Sequence, residues 1–175
     1  VHSHDSSGNG IGTLTMAARA GADIVDTAFA PFSGGTSHPN MSSLYYAMEG
    51  DDRQPDINIR NVEKINYYWE GVRPFYSDFD TDNGYPQTEV YHHAMPGGQY
   101  TNLKQQAMGL GLGERWDDVK EMYPVVNKLF GDIVKVTPSS KVVGDMSLYM
   151  VQMGLDAENF FEKGKTLDFP QSVIT

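Results

Sequence analysis

Residues 1–30 alternate extended and helical patterns in an order that few folds accept. VHSH reads as the end of a strand, DSSGNG as a turn, and TLTMAARA as a short helix that Gly21 closes from the left-handed position. ADIVDTAFA follows, and its apolar residues, Ile24 and Val25 among them, read as a parallel strand buried on both faces. Strand, helix and second buried strand make the β-α-β unit of an α/β protein. The next segment, PFSGGTSHPN, is loop.

From there on the sequence reads as mostly helical. MSSLYYAMEG predicts a helix, and in NIRNVEKINYYWEGVRPFYSDF the residues Ile59, Val62, Ile65, Tyr68, Trp69 and Val72 recur at helical spacing until Pro74 kinks or ends the helix. A glycine-rich loop, a short helix and a longer amphipathic helix fill residues 94–132. DIVKV predicts a short extended piece and TPSSKVVGDMSLYMVQMG a further helix. The tyrosines, Trp69 and Trp116 are expected in helix packing, and the pairs Asp51, Asp52 and Asp117, Asp118 on solvated faces. No repeat or low-complexity linker divides the chain.

Composition narrows the function. With 39% hydrophobic and 21% charged residues, one core is within reach. A net charge of -10 excludes the lysine and arginine surplus that nucleic-acid binding requires. There is no cysteine, so a metal must be held by His, carboxylate or carbonyl ligands. The sequence contains no apolar run able to span a bilayer and no basic-plus-apolar leader, which predicts a cytoplasmic setting. An opening on Val, with so short a first strand, predicts that the domain starts upstream.

Three stretches carry chemistry. His2 and His4 flank a single residue, and on a strand such side chains share one face about 7 Å apart, where two imidazoles converge on one divalent ion such as Zn or Mn. Surface histidines give the same pattern by chance, so the pair alone does not decide. Its position before a βα loop matches where α/β barrels carry active sites. In VTPSSK, Thr137 is placed to cap a helix that Pro138 begins, and Ser139, Ser140 and Lys141 offer hydroxyls, backbone donors and a cation to an anion or a urea-like carbonyl. In MPGGQYTNLKQQ, Gly97 and Gly98 permit close backbone approach and Asn102 is a candidate cap; without a following Lys-Ser or Lys-Thr pair, a structural turn is favoured over a phosphate loop.

HSHDSSGNG, SGGTSHPNMSSL, MPGGQYTNLKQQAMGLGLGERW and above all GDIVKVTPSSKVVGDMSLYMVQ together resemble the carboxyltransferase domain of pyruvate carboxylase, a biotin-dependent family, over nearly the whole chain. The resemblance implies a TIM (β/α)8 barrel followed by a helical funnel. VHSH would end strand seven, ADIVDTA would be strand eight, residues 1–40 would close the barrel and residues 41–175 would form the funnel. The upstream part of the barrel lies outside such a fragment.

By the same resemblance, carboxybiotin on a separate carrier domain gives its carboxyl group to pyruvate to form oxaloacetate, an anaplerotic and gluconeogenic step. His2 and His4 match two ligands of a divalent metal whose other ligands lie upstream. Thr137 matches a threonine that carries a proton between pyruvate and biotin, and Ser140 and Lys141 match contacts to the biotin ureido group. ATP binding belongs elsewhere in such an enzyme, which is expected to be a homo-oligomer. His38 departs from the family's glutamine, and Ala94 from its glutamate. The competing readings are an oxaloacetate decarboxylase or transcarboxylase subunit of the same architecture, or an inactive truncated fragment with a scaffold role.

Overall fold

The computed structural model describes residues 1–80 and 85–174. The chain divides into two compact units, Val1–Thr88 and Glu89–Thr175.

Unit 1 contains α1 (Gly10–Arg19), α2 (Met41–Ala47) and α3 (Ile59–Val72). α1 starts against the turn that the sequence predicts, where the Asp5 carboxylate accepts from the Gly10 N–H at 2.8 Å. Only glycine fits at that point, since a Cβ there would lie 2.4 Å from Pro39 and 2.7 Å from the Asp5 side chain. Asn40 caps α2 through the Ser42 N–H at 2.9 Å, as short polar residues do at helix starts. Leu14 and Ala18 of α1 pack with Leu44 and Met48 to form a small core.

The expected strands are the main correction. Among the described residues there is no strand longer than an isolated bridge, Ala28 with Asn40 in parallel and Asp5 with Gly35 in antiparallel sense. The Asp26 N–H donates to the Val1 carbonyl at 3.0 Å and the Val1 amino group to the Ile24 carbonyl. That exchange around Val25 is how parallel strands pair, but it is one rung and no ladder. A buried parallel strand needs neighbours along both edges and cover on both faces. Ile24, expected inside, is 74% exposed.

α3 also refines its expected face. Asn58 caps it through the Asn61 N–H, and the helix gives way at Pro74 to 3₁₀ turns over Arg73–Phe79, because proline lacks the N–H that would continue it. Val62 is buried and Ile59, Trp69 and Val72 are half-buried, whereas Ile65 and Tyr68 point outward. Asn66 takes the inward place instead, accepting from the Ala30 N–H at 3.0 Å and donating to Ser42 Oγ at 3.2 Å.

The regular elements described in unit 2 are helices: α4 (Val90–His93), α5 (Gly97–Gly109), α6 (Trp116–Leu129), α7 (Ser139–Met153), α8 (Phe160–Lys163) and α9 (Gln171–Ile174). α6, α5 and α9 all pack on α7, and the shared core includes Leu103, Val119, Tyr123, Val126, Val143, Met146 and Met150. Gly144 lets α5 approach α7: a Cβ there would lie 2.2 Å from Gln99 Nε2 and 2.9 Å from Leu103 Cδ1. Asn102 falls inside α5 and caps nothing, because the helix already begins at Gly97 behind Pro96. Trp116 is half-buried and donates to Tyr100 Oη at 3.3 Å. Residues 132–136 run without helix or bridge, and Val134 and Val136 are exposed. Among the described residues no helix is long and apolar enough to cross a membrane.

Candidate functional site: a histidine cluster and the first turn of α7

In unit 1 the two histidines singled out by the sequence do come together. Their ring centroids are 5.4 Å apart, and a third imidazole joins them: His38 lies 4.5 Å from His2 and 5.2 Å from His4. Each ring is held by an oxygen at Nδ1. His2 donates to Asp26 Oδ2 at 2.8 Å, His4 to the Thr36 carbonyl, and His38 to the Ser3 carbonyl at 2.8 Å.

Those oxygens only accept, so the proton of each neutral ring sits on Nδ1 and the lone pair is left on Nε2. This is how metal-ligating histidines are usually oriented. The hydrogen bond from His2 holds the Asp26 carboxyl below the ordinary aspartate range. The donor set of His2 and His4 therefore fits a divalent ion. Among the described residues, however, no group of three or more His, Asp or Glu side chains is arranged to hold a metal, so unit 1 offers a ligand pair. Nearby, a cavity of about 910 Å³ is lined by Ser33, Thr36, Arg73, Tyr76 and Asp80 among others.

Asp26 and His38 were missed as site residues because their partners lie 24 and 35 positions away. The only available signal was a histidine in an otherwise glycine-rich loop.

In unit 2, Thr137, Ser140 and Lys141 lie together at the start of α7. Thr137 is not the cap the sequence suggests. The helix begins at Ser139 behind Pro138, and Ser139 Oγ is turned back onto the carbonyls of Val134 and Val136. Thr137 is exposed, and its hydroxyl has no hydrogen-bond partner among the described residues. Ser140 is buried, and its carbonyl accepts from Tyr123 Oη at 3.3 Å, which ties α6 to this turn. Burial without a charged partner pushes the Tyr123 hydroxyl up to about 12. The Lys141 ammonium pairs with Asp145, whose carboxylate also accepts from Ser172 Oγ at 2.6 Å.

Within α6, Lys120 bridges Glu89 at 2.7 Å and Asp117 at 2.9 Å. Burial opposes its charge, but the hydrogen bonds to Asp117 and Glu89 outweigh it and raise the ammonium pKa. The buried His93 ring accepts from the Met95 N–H at 3.0 Å and, chiefly through burial, is held below the ordinary histidine range.

Residues 90–175, the helical unit headed by these side chains, match the model of a conserved carboxylase domain. The chain belongs, more narrowly, to the pyruvate carboxylase family and corresponds to part of its carboxyltransferase domain. It is 58% identical to the pyruvate carboxylase of Bacillus subtilis over 174 residues, 99% of this chain and 15% of that protein. It is 47% identical, with a TM-score of 0.94, to the carboxyl transferase domain of Rhizobium etli pyruvate carboxylase solved with pyruvate and biocytin, and equally to the same domain solved with oxamate and biotin. In both cases 99% of this chain and 29% of the other are covered. The chain thus spans a small part of its relatives.

Proposed function

We propose that this chain is the part of a pyruvate carboxylase that transfers a carboxyl group from carboxybiotin to pyruvate, giving oxaloacetate. One observation carries the reading: the whole-chain likeness to domains solved with pyruvate and biocytin. Residues 1–4 are then the end of barrel strand seven and residues 22–28 strand eight, which the parallel rung around Val25 supports, and residues 41–175 are the funnel. The remainder of the barrel and the biotin carrier domain are its partners within a homo-oligomer in the cytoplasm.

Each proposed role follows from the residue's own chemistry. Thr137 Oγ1, without a hydrogen-bond partner among the described residues, gives its own proton to the biotin nitrogen freed by loss of CO2 and takes the proton of the pyruvate methyl group in exchange, which leaves the enolate and restores the hydroxyl. Lys141 offers an ammonium to the ureido oxygen, and Asp145 fixes its direction. Ser140 adds the polar groups of the helix's first turn. His2 and His4 would hold a divalent metal through Nε2, which would supply electrostatic stabilisation of the negative charge that develops on pyruvate.

The test is oxaloacetate formation by the full-length enzyme supplied with pyruvate, bicarbonate and ATP. Pyruvate-dependent oxaloacetate supports the reading. Oxaloacetate decarboxylation without the forward carboxylation would overturn it.

A further inference from the structure

His38 is the one histidine of the cluster that the proposed reaction does not use. Its ring stands edge-on to His2 and tilted against His4, and its Nδ1–H reaches the carbonyl of Ser3, the residue between the two. The loop that carries it is tied down on several sides. The Gly34 N–H donates to the His38 carbonyl at 2.9 Å and the Ser37 N–H to the Gly34 carbonyl at 3.0 Å, a tight turn made possible by positive φ at Gly34 and Gly35. The Asp5 N–H donates to the Ser37 carbonyl at 2.8 Å, and the Ala28 N–H to the Pro39 carbonyl at 2.9 Å. The same loop supplies the Thr36 carbonyl that holds His4.

We infer that His38 is a positioning residue for the His2 and His4 pair: its Nδ1–H bond to the Ser3 carbonyl locks the backbone between the two imidazoles to the 33–38 loop and so sets their spread toward a shared divalent ion. This role rests on His2 and His4 being metal ligands, as proposed above. Between two ligands separated by one residue, the peptide units of that residue fix the angle at which the rings diverge. The Nδ1 contacts to Asp26 and Thr36 hold the rings, and backbone bonds at Val1 and Asp5 hold the two ends of the segment; the bond at Ser3 fixes the peptide units between the two imidazoles. The decisive group is a donor of the right reach, which a glutamine amide also carries and a phenylalanine ring does not.

The experiment uses the full-length enzyme loaded with Co²⁺, whose visible band reports ligand geometry, and follows release of the ion into excess EDTA. His38→Phe keeps a ring and loses the donor; His38→Ala loses both; His38→Gln keeps a donor and loses the ring. Phe and Ala are expected to release Co²⁺ about 10- to 100-fold faster than the unsubstituted enzyme, the usual cost of removing an outer hydrogen bond at a metal site, with an altered band. Gln is expected to stay close to the unsubstituted rate and band. Unchanged release in Phe and Ala, or release in Gln as fast as in Ala, would overturn the inference. Should Phe or Ala fail to fold, the Gln variant decides alone, since fast release or a shifted band there contradicts the role of the donor. His4→Ala separates the two levels: a Co²⁺ band that survives this substitution unchanged sinks the metal reading itself, whereas its loss together with an indifferent His38 sinks only the positioning role.

Discussion

Unit 2 gathers Leu103, Val119, Tyr123, Val126, Val143, Met146 and Met150 into one buried cluster around α7, whereas unit 1 buries only Leu14, Ala18, Leu44 and Met48 together. Unit 1 leaves Tyr67, Phe75, Phe79 and Tyr85 largely exposed and holds its loops through backbone bonds and imidazoles. Unit 2 sets its hydroxyl two residues ahead of a packed helix and its ammonium on that helix's first turn. The two kinds of functional group are thus supported differently. Ser140 and Lys141 take their place from a helix packed in a hydrophobic core, while the histidines take theirs from hydrogen bonds.

The largest expected effect is on independent folding. Produced separately, residues 89–175 should unfold as one cooperative transition, because apolar burial is the dominant favourable term and is concentrated there. Residues 1–88 should show no such transition by circular dichroism and should aggregate through exposed aromatics. Cooperative melting of residues 1–88 alone would erase the contrast.

A smaller effect isolates how unit 2 holds its site. Tyr123→Phe removes the bond from α6 to the Ser140 carbonyl and should cost about 0.5–1.5 kcal/mol in denaturant unfolding. An unchanged midpoint would show that packing alone fixes the first turn of α7.

The smallest effect is a slope with pH. His93 is buried and titrates below its unfolded value, so the unfolded chain binds a proton that the folded chain refuses. Stability of unit 2 is therefore full above about pH 6.5 and falls as pH drops from there toward the folded value. His93→Gln should flatten that segment of the stability profile, and an equal slope in the variant would assign it to other groups.

Much of this contrast was legible in the sequence. The turn and helix after VHSH, the helix of residues 41–47, the end of α3 at Pro74 and the long helix after TPSSK all follow from local signals that the structure honours. The buried strand was not, since an apolar run states a need for cover and not where the cover comes from. Periodicity also placed Ile65 and Tyr68 inward, because it counts apolar residues and has no term for Asn66, which satisfies its amide against Ala30 and Ser42. Of the candidate residues, His2, His4, Thr137, Ser140 and Lys141 were singled out through motif and resemblance. Asp26 and His38 were not, since the chain must fold back before either meets its partner.

The central claim is that the Thr137 hydroxyl moves the proton of the pyruvate methyl group. Deuterium uptake into that methyl group, followed by NMR in D₂O with full-length enzyme and biotin, measures this step without the rest of the cycle. Thr137→Ala should slow the uptake about 10²- to 10⁴-fold while Thr137→Ser preserves it; uptake by the Ala variant at the unsubstituted rate would contradict the account.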